Sequence, residues 1–130
     1  MKKFLLDTHL LLWATIRPDR LPQAVRTLGA SPETQFVFSV ASLWEIAIKR
    51  RKGRRDFTVD ERVLRRALLD HGYEELPILS QHVVAIPEPP TIHSDPFDHL
   101  LIAQARIEGI VLLTADATLA QYPAPVQWVS

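Results

Sequence analysis

Residues 4–9, Phe4-Leu5-Leu6-Asp7-Thr8-His9, form a short apolar run that ends abruptly in a carboxylate. A second apolar run, residues 10–14, follows immediately. The first run is typical of a strand buried in a sheet, and the second predicts a helix that begins directly after it. The sequence therefore predicts that Asp7 lies at the end of a buried strand.

The rest of the chain alternates predicted helices with short apolar strands. Ser39 and Ser80 are predicted N-caps, and Asp95-Pro96 begins the clearest helix, which ends at Gly109. Further strands are predicted at 36–38, 75–78, 110–113 and 126–129, and helices at 8–15, 22–29, 40–51, 60–71, 80–85 and from 117, with an extended loop at Pro87, Pro89 and Pro90. This order predicts one domain, residues 1–130, folded as a three-layer α/β/α sandwich around a mostly parallel central sheet.

Composition excludes several classes of protein. The chain contains no cysteine, so disulfides, thiolate zinc sites and cysteine nucleophiles are excluded. Asp7 and His9 interrupt the first apolar run after three residues, which is too short for a secretion signal. No segment approaches the roughly 18 apolar residues of a membrane span. We therefore expect a cytoplasmic protein without a membrane segment.

The charges are unevenly distributed along the chain. Six of the seven residues from Lys49 to Arg55 are basic, which leaves nine basic residues against fifteen acidic ones elsewhere, a net charge of −6. A basic segment on an acidic body suits a protein that holds cations at one place and polyanions beside it. A solvated helix end and loop would produce the same cluster.

Four acidic residues occupy comparable positions in the predicted elements. Asp7 and Asp116 follow apolar strands directly, Glu45 lies in the helix after the 36–38 strand, and Asp98 lies in the first turn of its helix. In an open α/β sheet the carboxyl ends of strands and the following helix N-termini share one edge, where ligands bind. We therefore expect the four side chains to face one crevice.

Each of these acids also has a structural explanation. Asp7 and Asp116 could be helix N-caps, Asp98 could close a capping box with Asp95, and Glu45 could pair with Lys49 at i, i+4. Taken together, however, four carboxylates in one crevice cannot all stay ionised without a cation. Oxygen ligands favour Mg²⁺ or Mn²⁺ over zinc, and such a site is suited to phosphodiester hydrolysis.

The sequence also resembles a known family, the PIN-domain ribonucleases, and within it the VapC-like toxins of type II toxin–antitoxin pairs. The matching stretches occur in family order and reach from residue 4 to the C-terminus. They are Leu5–His9, Ser39–Ile46, His93–Asp98, Leu100–Ala105 and Leu113–Asp116.

The resemblance implies a PIN-like parallel sheet, Mg²⁺ or Mn²⁺ as cofactor, endonucleolytic cleavage of RNA, a homodimer, and neutralisation by a small antitoxin. It makes Asp7, Glu45, Asp98 and Asp116 the catalytic and metal-binding set, with Asp95 as an auxiliary acid that we assign to helix capping. One position departs from the family pattern: His99 stands where arginine is common. The departure could weaken a phosphate contact or a charge pair with the acids.

Other side chains near these acids keep two interpretations. Thr8, Ser42 and Thr114 could orient a carboxylate or cap a helix locally, and Lys49 could contact phosphate or pair with Glu45. We expect packing or surface roles for His9 and His99, no chemistry for His82, and core or interface positions for Trp13, Trp44 and Trp128.

The sequence also bears on three other functions, and the residues at positions 9 and 39 disfavour two of them. A phosphatase with a nucleophilic aspartate would need a carboxylate at the position of His9, and a phosphate-receiver domain would need an aspartate where Ser39 follows its strand. An inactive PIN-like binding module is the third, with the acids as caps and the basic segment contacting a partner.

Overall fold

A computed structural model describes residues 1–86, 95–123 and 125–130. It contains five strands and six α-helices within these ranges. The strands are β1 (Lys2–Leu6), β2 (Thr34–Ser39), β3 (Glu74–Leu76), β4 (Val111–Thr114) and β5 (Val126–Trp128). The helices are α1 (Thr8–Thr15), α2 (Gln23–Gly29), α3 (Val40–Arg51), α4 (Glu61–Asp70), α5 (Ser80–Val84) and α6 (Pro96–Glu108).

The strands form one sheet in the order β3-β2-β1-β4-β5, and every described pairing is parallel. β1 therefore lies at the centre, between β2 and β4. In this register Leu5 pairs with Val37 on one side and with Leu112 on the other. The α/β architecture around a parallel sheet is confirmed.

Alternation along the central strands builds two cores, one on each face of the sheet. Phe4 and Leu6 face a cluster that includes side chains of α1 and α4, whereas Leu5 between them faces a cluster that includes α6. Successive side chains of a strand point to opposite faces, so a run that is apolar throughout must be covered on both. This double burial fixes β1 and holds its carboxyl end in place.

Several predicted boundaries are confirmed. Ser39 caps α3, with its hydroxyl accepting from the Ala41 N–H at 2.9 Å, and Asp95 caps α6 by accepting from the Phe97 N–H at 2.9 Å. α6 ends at Gly109, whose φ of +68° is left-handed backbone that glycine adopts without strain.

Other local predictions were wrong. Ser80 is the first residue of α5 and not its cap; the Leu79 N–H is bonded instead by Nδ1 of His82 at 3.0 Å, so an imidazole satisfies this helix end. The helix expected from residue 117 is only a 3₁₀ turn, Leu119–Gln121. Another 3₁₀ turn, Pro18–Arg20, was not predicted. Pro22 is the N-cap of α2 and not its first residue.

The tryptophans divide between two environments. Trp13 is partly buried against the α1 side of the core, whereas Trp44 and Trp128 are 53% and 55% exposed. The core alternative therefore fails for Trp44 and Trp128. The proline loop predicted at Pro87, Pro89 and Pro90 lies outside the described residues, and no helix within them is both long and apolar enough to cross a membrane.

Candidate active site

Four acids predicted from the sequence line one cavity of about 230 Å³, which we name the acidic cavity. It is also lined by a fifth acid, Asp95, and by two basic side chains, Lys49 and Arg54. The cavity opens at the carboxyl ends of β1 and β4, since Asp7 and Asp116 follow these strands within two residues. The predicted acids in its lining are Asp7, Glu45, Asp98 and Asp116.

Asp7 is buried and held at both carboxylate oxygens. Its Oδ1 accepts from the Leu10 N–H at 2.9 Å, which makes Asp7 the N-cap of α1, and its Oδ2 accepts from the Thr114 hydroxyl. The two explanations weighed for this residue therefore coexist. Burial raises the pKa of Asp7, and the bonds from Thr114 and Leu10 act in the opposite direction.

Glu45 is equally buried, on the side of α3 that faces α1. The Thr8 hydroxyl donates to its Oε1 at 2.6 Å, and the Lys49 ammonium donates to its Oε2. Ser42 lies 3.0 Å from the Thr8 hydroxyl. Thr8 and Thr114 thus orient carboxylates across elements, and the Thr114 hydroxyl also makes a local bond, accepting from the Asp116 N–H at 3.0 Å.

The pKa of Asp98 reflects its burial and the charges of the neighbouring acids. Burial, followed by the charges of Asp95, Glu45, Asp7 and Asp116, raises its pKa to about 8. Each of these four acids makes ionisation of Asp98 harder, so all of them lie close enough to act on its carboxyl group. At neutral pH the cavity without a bound cation therefore retains a proton on a carboxyl group.

Lys49 is one of the two basic side chains that line the acidic cavity. Its ammonium bridges Glu45 and Asp95, the latter at 3.3 Å, and lies 5.0 Å from the ring centroid of Phe57. Burial alone would lower the pKa of Lys49, but its bonds and charge contacts with Glu45 and Asp95 raise it. The sequence placed Asp95 only at a helix end and therefore missed its second contact.

The donor set fits a hard divalent cation in chemistry, because every acid offers oxygen and the cluster has excess negative charge. Within residues 1–86, 95–123 and 125–130, however, no three histidine or acidic side chains are arranged to hold one metal ion. Mg²⁺ commonly keeps several waters and takes only one or two protein carboxylates directly.

The histidines His9, His82 and His99 lie in three different environments. His9 is exposed and lies 3.3 Å from Asp56, whereas His99 is buried with its Nε2 3.3 Å from the Tyr122 hydroxyl. His82 is buried between the Leu79 N–H and Glu108 and does not line the acidic cavity. His9 does line the acidic cavity, and its charge acts to lower the pKa of Asp7.

A family comparison agrees with this geometry: the model of the PIN domain matches residues 4–125. The chain belongs to the PIN domain family. The match includes all five carboxylates of the acidic cavity. A comparison with curated protein sequences gave no significant match.

Solved structures share the fold of this PIN domain. They include VapBC2 from Rickettsia felis bound to a promoter DNA fragment, with 14% identity, a TM-score of 0.70, and 98% of this chain and 99% of that chain covered. VapBC-1 from nontypeable Haemophilus influenzae has 20% identity, a TM-score of 0.61 and coverage of 97% and 96%. A toxin–antitoxin complex from Klebsiella pneumoniae has 20% identity, a TM-score of 0.62 and coverage of 95% and 94%.

Proposed function

We propose that residues 1–130 form one nuclease domain, a Mg²⁺- or Mn²⁺-dependent endoribonuclease that acts in the cytoplasm as the toxin of a toxin–antitoxin pair. The observation that carries the proposal is the convergence of five carboxyl groups on one cavity, registered in the pKa of about 8 at Asp98. A protein gains nothing in stability from such repulsion, whereas a cation bound beside the carboxylates relieves it.

In this proposal Asp7, Glu45, Asp98 and Asp116 would hold the ion. The ion would supply Lewis-acid polarisation of the phosphoryl oxygen and activation of a water for attack. Thr114 and the Leu10 N–H fix the carboxylate of Asp7, so its position is set before substrate arrives.

Asp98 and Lys49 would also act on charge and protons. A cation in the cavity would favour the ionised form of Asp98, because it offsets the neighbouring negative charges that raise the pKa of this group. Lys49 is positioned beside Glu45 and Asp95, where its ammonium can also attract a phosphate oxygen of RNA.

The direct test is RNA cleavage by the purified protein, freed of any tight partner, with Mg²⁺ or Mn²⁺. Asp7→Asn, Glu45→Gln and Asp116→Asn should each abolish cleavage while the circular dichroism spectrum stays unchanged. Glu33→Gln removes an exposed acid outside the acidic cavity and is the matched control. If wild type cleaves no RNA pool with either metal, the proposal fails.

A second candidate is an inactive PIN-like binding module. It is favoured by one observation: Lys49 already neutralises Glu45 and Asp95, as an internal cation would in a site that binds no metal. Manganese titration separates the two candidates. An active site predicts a melting temperature raised by Mn²⁺ and a loss of that response in Asp7→Asn or Asp98→Asn, whereas an inert module predicts no response in wild type.

The partners in this proposal are RNA as substrate, a small antitoxin protein and a second copy of the chain. The fold likeness to toxin–antitoxin complexes supports the antitoxin as a candidate partner. Co-expression with the product of a short neighbouring reading frame should yield a complex that suppresses cleavage. Light scattering of the separated protein should give twice the chain mass of 14.8 kDa.

A further inference from the structure

A second cavity, of about 520 Å³, lies beside the acidic cavity, and we name it the arginine cavity. Its lining includes three arginines, two aromatic rings and one acid: Arg17, Arg20, Arg55, His9, Trp13 and Asp56. Its volume lies within the range of about 300–1,000 Å³ that ligand pockets occupy. The site described above does not use it.

The two cavities are joined by shared walls. A third, smaller cavity is lined by Asp7, Asp116, His9 and Trp13, so it shares two acids with the acidic cavity and two rings with the arginine cavity. His9 lines all three. A ligand chain can therefore run from the carboxylates, past His9 and Trp13, to the arginines without leaving the surface depression.

Two consecutive elements build this wall. His9, Leu12 and Trp13 lie on one face of α1 at helical spacing, and Ile16, Arg17 and Arg20 follow from the residues after α1, where the chain leaves the helix and makes a 3₁₀ turn. Arg55, from the loop that follows α3, also lines this cavity. The basic segment Lys49–Arg55 contains no aromatic residue, so the rings beside Arg55 come from a distant part of the sequence.

The arginines differ in their availability. Arg17 makes a two-point ion pair with Asp19, at 3.0 and 3.1 Å. Arg20 and Arg55 are exposed, and in the described part of the chain their guanidinium groups make no hydrogen bond and no ion pair within 4 Å, although the charge of Arg20 acts on Asp19. Two free guanidinium groups facing one depression attract a ligand with at least two anionic groups.

The aromatic part of the lining selects among such ligands. Trp13 is partly buried, with its ring centroid 6.0 Å from that of His9. Aromatic faces bordered by arginines suit a single-stranded nucleic acid, in which unstacked bases lie on rings and phosphates on guanidinium groups. An acidic protein segment would use the arginines but leave Trp13 without a flat partner.

We propose that the arginine cavity binds the single-stranded RNA that flanks the scissile phosphate, with Arg20 and Arg55 on its phosphates and Trp13 against a base. This inference deepens the proposed function and rests on it for the identity of the ligand. The arginine cavity would set which RNA segment reaches the carboxylates, and with what register.

Binding can be measured apart from cleavage, in EDTA, by the fluorescence anisotropy of a 5′-labelled single-stranded RNA of twelve nucleotides. Arg20→Gln/Arg55→Gln should bind at least tenfold more weakly than the matched control Arg66→Gln/Arg106→Gln, which removes two exposed arginines outside the cavity. The slope of log K against log salt should fall by about 1.4, because each phosphate contact on a single strand contributes about 0.7. Equal affinity and slope in the two double variants would overturn the proposal.

The stacking contact has its own readout. The chain has three tryptophans, and Trp44 and Trp128 are exposed, so Trp44→Phe/Trp128→Phe leaves Trp13 as the single tryptophan, which is excited selectively over the two tyrosines at long wavelength. RNA should quench its emission and polyglutamate of equal charge should not. Displacement of RNA by polyglutamate without any quenching by RNA would assign the cavity to an acidic protein segment and overturn the proposal.

The two proposals fail separately. If wild type cleaves RNA but Arg20→Gln/Arg55→Gln binds like its control, the nuclease stands and the arginine cavity is not its subsite. If wild type cleaves no RNA with either metal but the double variant loses binding, the nuclease fails and the arginine cavity remains an RNA-binding site.

Discussion

Asp98→Asn tests the electrostatics of the acidic cavity through the pH dependence of stability without metal. Asp98 has an ordinary pKa of 3.8 in the unfolded chain and a pKa of about 8 in the folded one. Between these values the folded protein binds one more proton than the unfolded chain. The contribution of Asp98 to the free energy of unfolding is therefore greatest below about pH 4 and falls as the pH rises toward 8.

One proton corresponds to about 1.4 kcal/mol per pH unit, which is the upper bound on the slope that Asp98 contributes. From pH 5.5 to 7.5 we expect the free energy of unfolding to fall by about 1.5–2.5 kcal/mol, allowing for the partial exposure of Asp98. Acids whose pKa is lowered, such as Asp60 and Glu61, lose their contribution only at lower pH and leave this window flat. Asp7, whose pKa is also raised, adds to the fall.

Urea denaturation in EDTA at several pH values measures the effect. Asp98→Asn should remove most of the slope, match wild type near pH 5 and exceed its stability near pH 8, since an amide is not repelled by the remaining carboxylates. Glu33→Gln, which removes an exposed charge, should keep the wild-type slope. A flat wild-type profile, or an equal slope in Asp98→Asn, would refute the clustering of charge inferred here.

Three further substitutions have expected outcomes of their own. Lys49→Met removes the ammonium between Glu45 and Asp95 and should lower the free energy of unfolding without metal by about 2–3 kcal/mol, measured by urea denaturation. Adding Mn²⁺ should raise the free energy of unfolding more in this variant than in wild type. A smaller rise would contradict this role of Lys49. Ser39→Ala should cost about 1–3 kcal/mol, because α3 loses its cap and the buried Gln104 Oε1 loses a donor, whereas Ser80→Ala should change stability by less than about 0.5 kcal/mol. Gly109→Ala forces a side chain into left-handed backbone and should cost about 1 kcal/mol, seen as a melting temperature lower by several degrees; an unchanged melting temperature would show that the turn relaxes.

The sequence predicted the elements whose signals are local and strong. The unbroken apolar runs at β1 and β4 indicate strands covered on both faces, and Asp95-Pro96 with Gly109 marks both ends of α6. Ser80 misled because a serine before a short helix has the same local appearance whether or not it caps. The N-cap residue is Leu79, and its N–H is bonded to the His82 ring. This bond depends on a side chain three residues later and on burial that no local pattern shows.

Placement of the acids followed from topology, whereas their contacts did not. Strand ends at one edge of a parallel sheet predict that Asp7 and Asp116 approach each other, and the structure brings both to the acidic cavity. The bond from Thr114 to Asp7 spans 107 residues, and that from Lys49 to Asp95 spans 46. Such pairings require the relative rotation of packed helices and strands, which periodicity does not specify. The assignment of the four predicted acids to metal binding and catalysis stays a prediction.

The central position of β1 has a consequence for how the protein is made. β1 is synthesised before the other described strands, but its neighbour β4 and the acid at position 116 are made more than a hundred residues later. Asp7 and Asp116 therefore cannot meet on any nascent fragment that stops before residue 116. Under the proposed function, translation products that stop before this residue lack one of the four acids and do not cleave the RNA of the cell that makes them.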